Sequence, residues 1–157
     1  MYRIGIAGFG FMGQMHIRAY REVSEAKVTA LFDVDSAIFE RGPTAGNIAS
    51  GDLGDIASIA KFTDFDKFLA ADVDAIDICV PTFLHRDLTE RAVRSGRPVL
   101  CEKPMALNVA DCDATLVSFR TSFPGSAELS RGRGERARRP RARRARARCA
   151  PSRCKRR

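Results

Sequence analysis

Arg3-Ile4-Gly5-Ile6-Ala7-Gly8-Phe9-Gly10-Phe11-Met12-Gly13 is the stretch whose reading decides the fold. Residues 3–7 form a short apolar run of the kind buried in a parallel sheet, and it ends in glycine. Gly8 to Gly13 then fit G-x-G-x-x-G, and beyond them Met12, Met15, Ala19 and Val23 recur at spacings of 3, 4 and 4, which predicts a helix over 12–23 with those four on one face. A glycine pattern between a strand and a helix is informative where the bare pattern is not. Gly8 permits a tight turn, Gly10 offers no side chain where a pyrophosphate approaches the backbone, and Gly13 lets the helix pack closely on the strand. The free N–H groups and dipole of the helix start, at Phe11, Met12 and Gly13, suit phosphate charge.

Outward from that unit, Val28–Phe32 predicts a second buried strand, and Asp33 closes it twenty residues past Gly13. An acid there accepts hydrogen bonds from adenosine ribose hydroxyls and repels a 2′-phosphate, and no Arg or Lys follows before Arg41, so NAD is favoured over NADP as cofactor. The glycine-rich stretch around 42–54 shows no clear element beyond a short helix near 36–41. A weak strand is expected around Ile59–Phe62, and Thr63 to Asp66 resemble a capping box opening a helix with Phe65, Phe68 and Leu69 on one face. Ala75–Val80 predicts a strand stopped by Pro81. Leu84, Leu88 and Ala92 mark a helix that closes at Ser95-Gly96, and Pro98–Cys101 a fifth strand. Asn108 caps a last helix expected to turn Val109, Cys112 and Leu116 inward. Strands alternating with helices imply an α/β fold, a Rossmann-type doubly wound parallel sheet of about five strands. No sixth strand follows.

Charge divides the 157 residues in two. Residues 1–118 hold 12 Lys and Arg against 17 Asp and Glu, a net of −5, whereas 119–157 hold 15 against 2, a net of +13. The division suggests a folded domain over 1–118 and a basic low-complexity tail over 119–157, in which an Arg/Ala/Gly/Pro/Ser vocabulary without hydrophobic periodicity predicts disorder. Such a tail attracts polyanions, nucleic acid included, nonspecifically at low salt, but holds no aromatic after Phe123 for base stacking. No apolar run reaches the ~18–20 residues of a membrane span, and no secretory signal is expected from the glycine-rich opening stretch. Five cysteines without a CxxC pair fit a reducing, cytoplasmic setting. Cys149 and Cys154, with no His or acid near them, argue against a zinc site, and no metal is expected.

Val99-Leu100-Cys101-Glu102-Lys103-Pro104-Met105-Ala106 adds a family likeness. A strand running into Glu-Lys-Pro, after a G-x-G-x-x-G unit and a Pro81-Thr82-x-x-His85 turn, closely resembles the Gfo/Idh/MocA family of NAD(P)-dependent oxidoreductases over about residues 2–114. The resemblance implies an amino-terminal Rossmann domain joined to a second α/β domain, with a sugar, inositol or related hydroxyl/carbonyl substrate held between them. It implies that Lys103 lies near the nicotinamide, positioning substrate and moving a proton, and that Pro81, Thr82, His85 and Glu102 line the cofactor side. A cation just past the carboxyl end of a parallel strand is also where developing oxyanion charge can be stabilised. His16 reads as a packing or surface residue. The family's Asp-x-x-x-His pair has no counterpart here, since no histidine follows His85. The sequence therefore reads as the cofactor-binding front of such an enzyme, truncated or frameshifted near 114–123 and inactive alone. A non-catalytic dinucleotide-binding module and a basic-tail polyanion binder are the alternatives.

Overall fold

Five parallel strands form one sheet in the order β3-β2-β1-β4-β5, with β1 Tyr2–Ala7, β2 Ala26–Phe32, β3 Ala60–Phe62, β4 Ala75–Ile78 and β5 Val99–Cys101. The computed structural model describes residues 1–41 and 53–124; expectations that fall on 42–52 and on the basic stretch from 125 onward lie outside the described residues. Among the described residues, the α-helices are α1 Phe11–Arg21, α2 Phe65–Leu69 and α3 His85–Arg94, each between two strands, and α4 Val109–Ser122, which follows β5 and runs beyond 118 in a compact unit reaching Pro124.

Both sheet faces are covered, as a parallel sheet requires. On one side Ile4, Ile6, Phe9, Ile17, Leu31 and Phe39 form a core, and on the other Phe32, Phe65, Phe68, Ile76, Leu88 and Ala92 do. Aromatic rings hold the second core together: Phe32 meets Phe65 edge-on with centroids 5.0 Å apart, and Phe68 stacks on Phe65 at 5.6 Å.

Three local expectations are corrected. The buried face of α1 is Gly13, Gln14 and Ile17; Met12 and Val23 are exposed. Gly13 is pressed so closely on the turn before it that it sets the helix's rotation, and hydrophobicity counts overlook a glycine contact. The cap of α2 is Asp64, not Thr63: its carboxylate accepts from the Asp66 and Lys67 amides at 2.9 and 3.0 Å. In α4 the buried residues are Thr115 and Ser118, while Val109 and Leu116 face outward. Small side chains allow close packing there, and the Thr115 hydroxyl is satisfied by donating to the Asp111 carbonyl at 2.9 Å.

Register is what positions the site. Phe62 pairs with Phe32, Phe32 with Ala7, Ala7 with Ile78 and Ile78 with Cys101, so one row crosses the whole sheet at its carboxyl edge. The bonds Gly8 N to Phe32 O, Asp33 N to Phe62 O, Cys79 N to Ala7 O and Glu102 N to Ile78 O carry the ladder one residue further. Thr63, Asp33, Gly8, Cys79 and Glu102 thereby stand side by side just past the strand ends.

Candidate functional site

Strand order reverses at β1, whose successor β2 lies on one side and whose later neighbour β4 lies on the other. Crevices at such a reversal, outside the carboxyl ends, are where open α/β sheets bind ligands. A cleft of about 810 Å³ opens there, lined by Gly8, Gly10, Phe11, Met12, Asp33 and Pro81 among others.

Each glycine of the loop has its own steric reason. Gly8 has φ +97°, and a Cβ on it would sit 2.7 Å from the Cys79 backbone. A Cβ on Gly13 would lie 1.9 Å from the Gly8 carbonyl oxygen, so the helix crosses the turn at a distance only glycine permits. Gly10 is different: among the described residues, a Cβ there meets nothing within 4 Å. It faces open space, a cradle that a side chain would fill. Gly10 is also the N-cap of α1 without a side-chain cap, and no acidic residue occupies the first turn, so the helix's positive end is left for an external anion.

Asp33 lies beside this loop. Its Oδ2 accepts from the Phe9 amide at 2.9 Å and its Oδ1 from the Asp35 amide at 3.0 Å. Each carboxylate oxygen has a second lone pair free in direction, so the residue can fasten the turn and still accept from a ligand hydroxyl. The loop and Asp33 together fit a dinucleotide's pyrophosphate and ribose.

The other expected residues, Thr82, His85, Glu102 and Lys103, are not among those lining the cleft. Thr82 opens a single 3-10 turn, Thr82–Leu84, ahead of α3. His85 is 1% exposed, its ring nitrogens each 2.8 Å from a carbonyl oxygen, Nδ1 from Pro104 and Nε2 from Val80. It ties the end of β4 to the segment after Lys103. Glu102 and Lys103 border a separate cavity of about 380 Å³ between α3, β5 and α4. Lys103 is exposed, and its amide donates to Glu102 Oε2 at 3.1 Å.

One residue read as packing or surface has polar partners on both sides. His16 Nδ1 lies 2.7 Å from Asp77 Oδ2, and its Nε2 3.0 Å from Glu102 Oε1. The hydrogen bond to Asp77, foremost, and the nearby Asp77 and Glu102 charges raise the His16 pKa above its ordinary 6.5, against the opposing effect of burial. Burial first, and Asp77 next, push the Cys79 thiol and the Tyr20 hydroxyl above their usual ranges, keeping both protonated. Cys79 Sγ lies 3.3 Å from His16 Nδ1 and 3.5 Å from Asp77 Oδ1, so His16, Asp77 and Cys79 bond to one another. A signal for this cluster does exist in the sequence. An acid inside a strand buried on both faces, as in Ala-Ile-Asp-Ile-Cys, needs a partner, and the first helix supplies one.

Residues 2–122 match the family model described as an oxidoreductase family with an NAD-binding Rossmann fold, GFO_IDH_MocA. The chain belongs to this family. Among curated Gfo/Idh/MocA-type relatives, it is 34% identical over 111 residues to inositol 2-dehydrogenase 1 of Saccharopolyspora erythraea, covering 70% of this chain and 31% of the relative. It is 33% identical over 115 residues to inositol 2-dehydrogenase of Rhizobium meliloti, covering 73% and 31%. The crystal structure of scyllo-inositol dehydrogenase from Lactobacillus casei with bound NAD(H) and scyllo-inositol superposes with a TM-score of 0.65 at 26% identity, over 78% of this chain and 34% of that one. The chain thus spans about a third of the length of these relatives. Among the described residues, no helix is long and apolar enough to cross a membrane.

Proposed function

We propose that this domain holds NAD for an oxidoreductase whose whole chain transfers hydride between the nicotinamide and a hydroxyl/carbonyl pair on a cyclic polyol or sugar. The observation that carries the reading is the open face of Gly10 beside Asp33 in the cleft at the strand-order reversal. Inositol dehydrogenases among the relatives support the substrate class. When bound, the nicotinamide supplies the hydride acceptor.

The chain's own residues do the rest of this domain's share. The amides at the start of α1 receive the pyrophosphate, Gly10 lets it approach, and Asp33 accepts from the ribose and disfavours a 2′-phosphate. Pro81, Thr82 and His85 shape the turn between the cleft and the Glu102–Lys103 edge. Lys103, exposed at that edge, stabilises the developing alkoxide and takes part in moving its proton.

The test is a titration of the full chain with NADH and NADPH, followed by fluorescence, for parent and Asp33→Ala. NADH is expected to bind more tightly than NADPH. The variant should lose at least roughly tenfold in NADH affinity, about 1.4 kcal/mol, and its preference between the two should collapse. A purely structural Asp33 would weaken both cofactors alike. Folded protein that takes up neither cofactor at millimolar levels would overturn the proposal.

A further inference from the structure

The dinucleotide reading uses the glycine loop, Asp33 and the Glu102–Lys103 edge, but leaves unexplained the polar chain beneath that edge. The chain starts at Asp77, whose side chain is 1% exposed in the central strand β4. It passes through His16 on α1 to Glu102, then from Glu102 to the backbone of Lys103, with successive separations of 2.7, 3.0 and 3.1 Å. The close approach of Gly13 to Gly8 presses α1 onto the strand ends, and His16 stands three residues further along that helix.

The donor and acceptor inventory narrows the chemistry. Carboxylates only accept, whereas a neutral imidazole has one N–H and an imidazolium has two. A ring with one carboxyl on each nitrogen can serve both as donor only when doubly protonated. Resting on the dinucleotide reading, we infer that His16 is a positioning residue: anchored on Asp77, its imidazolium fixes the Glu102 carboxylate, and through it the backbone of Lys103. The groups meeting the ring are Asp77 and Cys79, from β4 and its end, and Glu102, just past β5; around them, the Tyr20 hydroxyl of α1 interacts with Asp77, and Cys101 lies near Cys79. Cys79 is held as a thiol and donates to Asp77 Oδ1 at 3.5 Å, so it adds no charge of its own. Loss of the second imidazole proton leaves one carboxyl without its donor. Asp77, the more deeply buried, keeps the remaining N–H, and Glu102 is released.

The prediction is that Lys103 placement follows His16 protonation. The full chain, uniformly labelled, is titrated with alkali while the imidazole resonances and the Lys103 amide are followed by NMR. His16→Gln assigns the His16 signals against those of His85. The His16 midpoint should lie above that of an ordinary histidine, the Lys103 amide should shift with the same midpoint, and Glu102→Gln should lower the midpoint and abolish the Lys103 response. Far-UV circular dichroism checks that both variants are folded; should Glu102→Gln not fold, the parent's shared midpoint decides. A Lys103 amide that ignores the His16 transition, or a midpoint unmoved by Glu102→Gln, overturns the inference. No cofactor enters this experiment, so a failure to bind NADH would refute the proposed function while the NMR result still decides the role of His16.

Discussion

Alanine at Gly13 and alanine at Gly10 should separate two uses of one glycine loop. At Gly13 the new Cβ lies 1.9 Å from the Gly8 carbonyl oxygen, where real Cβ atoms do not come within 3.0 Å. The helix and the turn must part by about 1 Å, as the 1.9 Å approach requires. Gly8 cannot easily yield, because it is itself backed by the Cys79 backbone. Overpacking against backbone belongs at the upper end of the usual range, about 2–3 kcal/mol. With a urea slope of about 1.5 kcal/mol/M for a domain of this size, the unfolding midpoint should fall by roughly 1.3–2 M. Gly10 has φ −68°, which alanine adopts freely, and nothing stands within 4 Å of its Cβ. Gly10→Ala should leave the midpoint unchanged or raise stability by about 0.5 kcal/mol, yet weaken NADH at least roughly tenfold because the methyl occupies the phosphate's approach. Urea unfolding and NADH titration on both variants check the pair. A Gly13→Ala midpoint within about 0.3 M of the parent would refute the packing argument, and unchanged NADH affinity in Gly10→Ala would refute the close-approach argument.

Asp64→Ala removes a carboxylate that receives two amides and should cost about 1 kcal/mol, whereas Thr63→Ala should cost under about 0.5; chemical unfolding of each distinguishes them. The Arg97 guanidinium donates to the carbonyls of Val73, Leu69 and Ala71 at 2.9, 2.7 and 3.2 Å, a fork that an ammonium cannot copy, so Arg97→Lys should lose roughly 1–3 kcal/mol in the same assay. The His16 contribution to stability has a defined sign. A folded-state pKa raised above 6.5 makes that contribution complete below 6.5 and drains it as pH rises through the raised value. Unfolding midpoints at about pH 6 and about pH 9 should therefore show the parent's advantage over His16→Gln shrinking on the alkaline side, and an advantage that grows there would contradict the assignment.

The sequence made the sheet legible because each strand is a short apolar run bounded by glycine, proline or acid, and in a parallel sheet buried on both faces such runs have few other uses. Helix faces were harder. Met12, Met15, Ala19 and Val23 are as periodic as the true face, but Gly13 outweighs them through a contact that no hydrophobicity count registers. In α4 the close packing of Thr115 and Ser118 prevails over larger apolar residues left outside. At the site, the glycine loop and Asp33 were legible because local backbone chemistry defines them. His16 was not, because its partners lie 61 and 86 residues away and meet it only once β4 and β5 are in register.

That register also bears on the two duties proposed for Asp33. Parallel strands are spaced about 4.8 Å apart, so the row past their ends puts Gly8 one strand from Asp33 and two from Glu102. Asp33 and Glu102 then stand about 14 Å apart on one edge, with the glycine loop between them. A ligand reaching both must cross the helix start, where Gly10 supplies no side-chain cap and the first turn holds no acid. Asp33 meanwhile holds the Phe9 amide, and with it the conformation of the loop that the phosphate meets. An asparagine would keep the size but present an NH₂ to one of two backbone donors, Phe9 N or Asp35 N, that now find oxygen. Loop geometry alone therefore demands the acid to which the proposed preference between cofactors is assigned, and only the ratio of NADH to NADPH affinity separates the two duties.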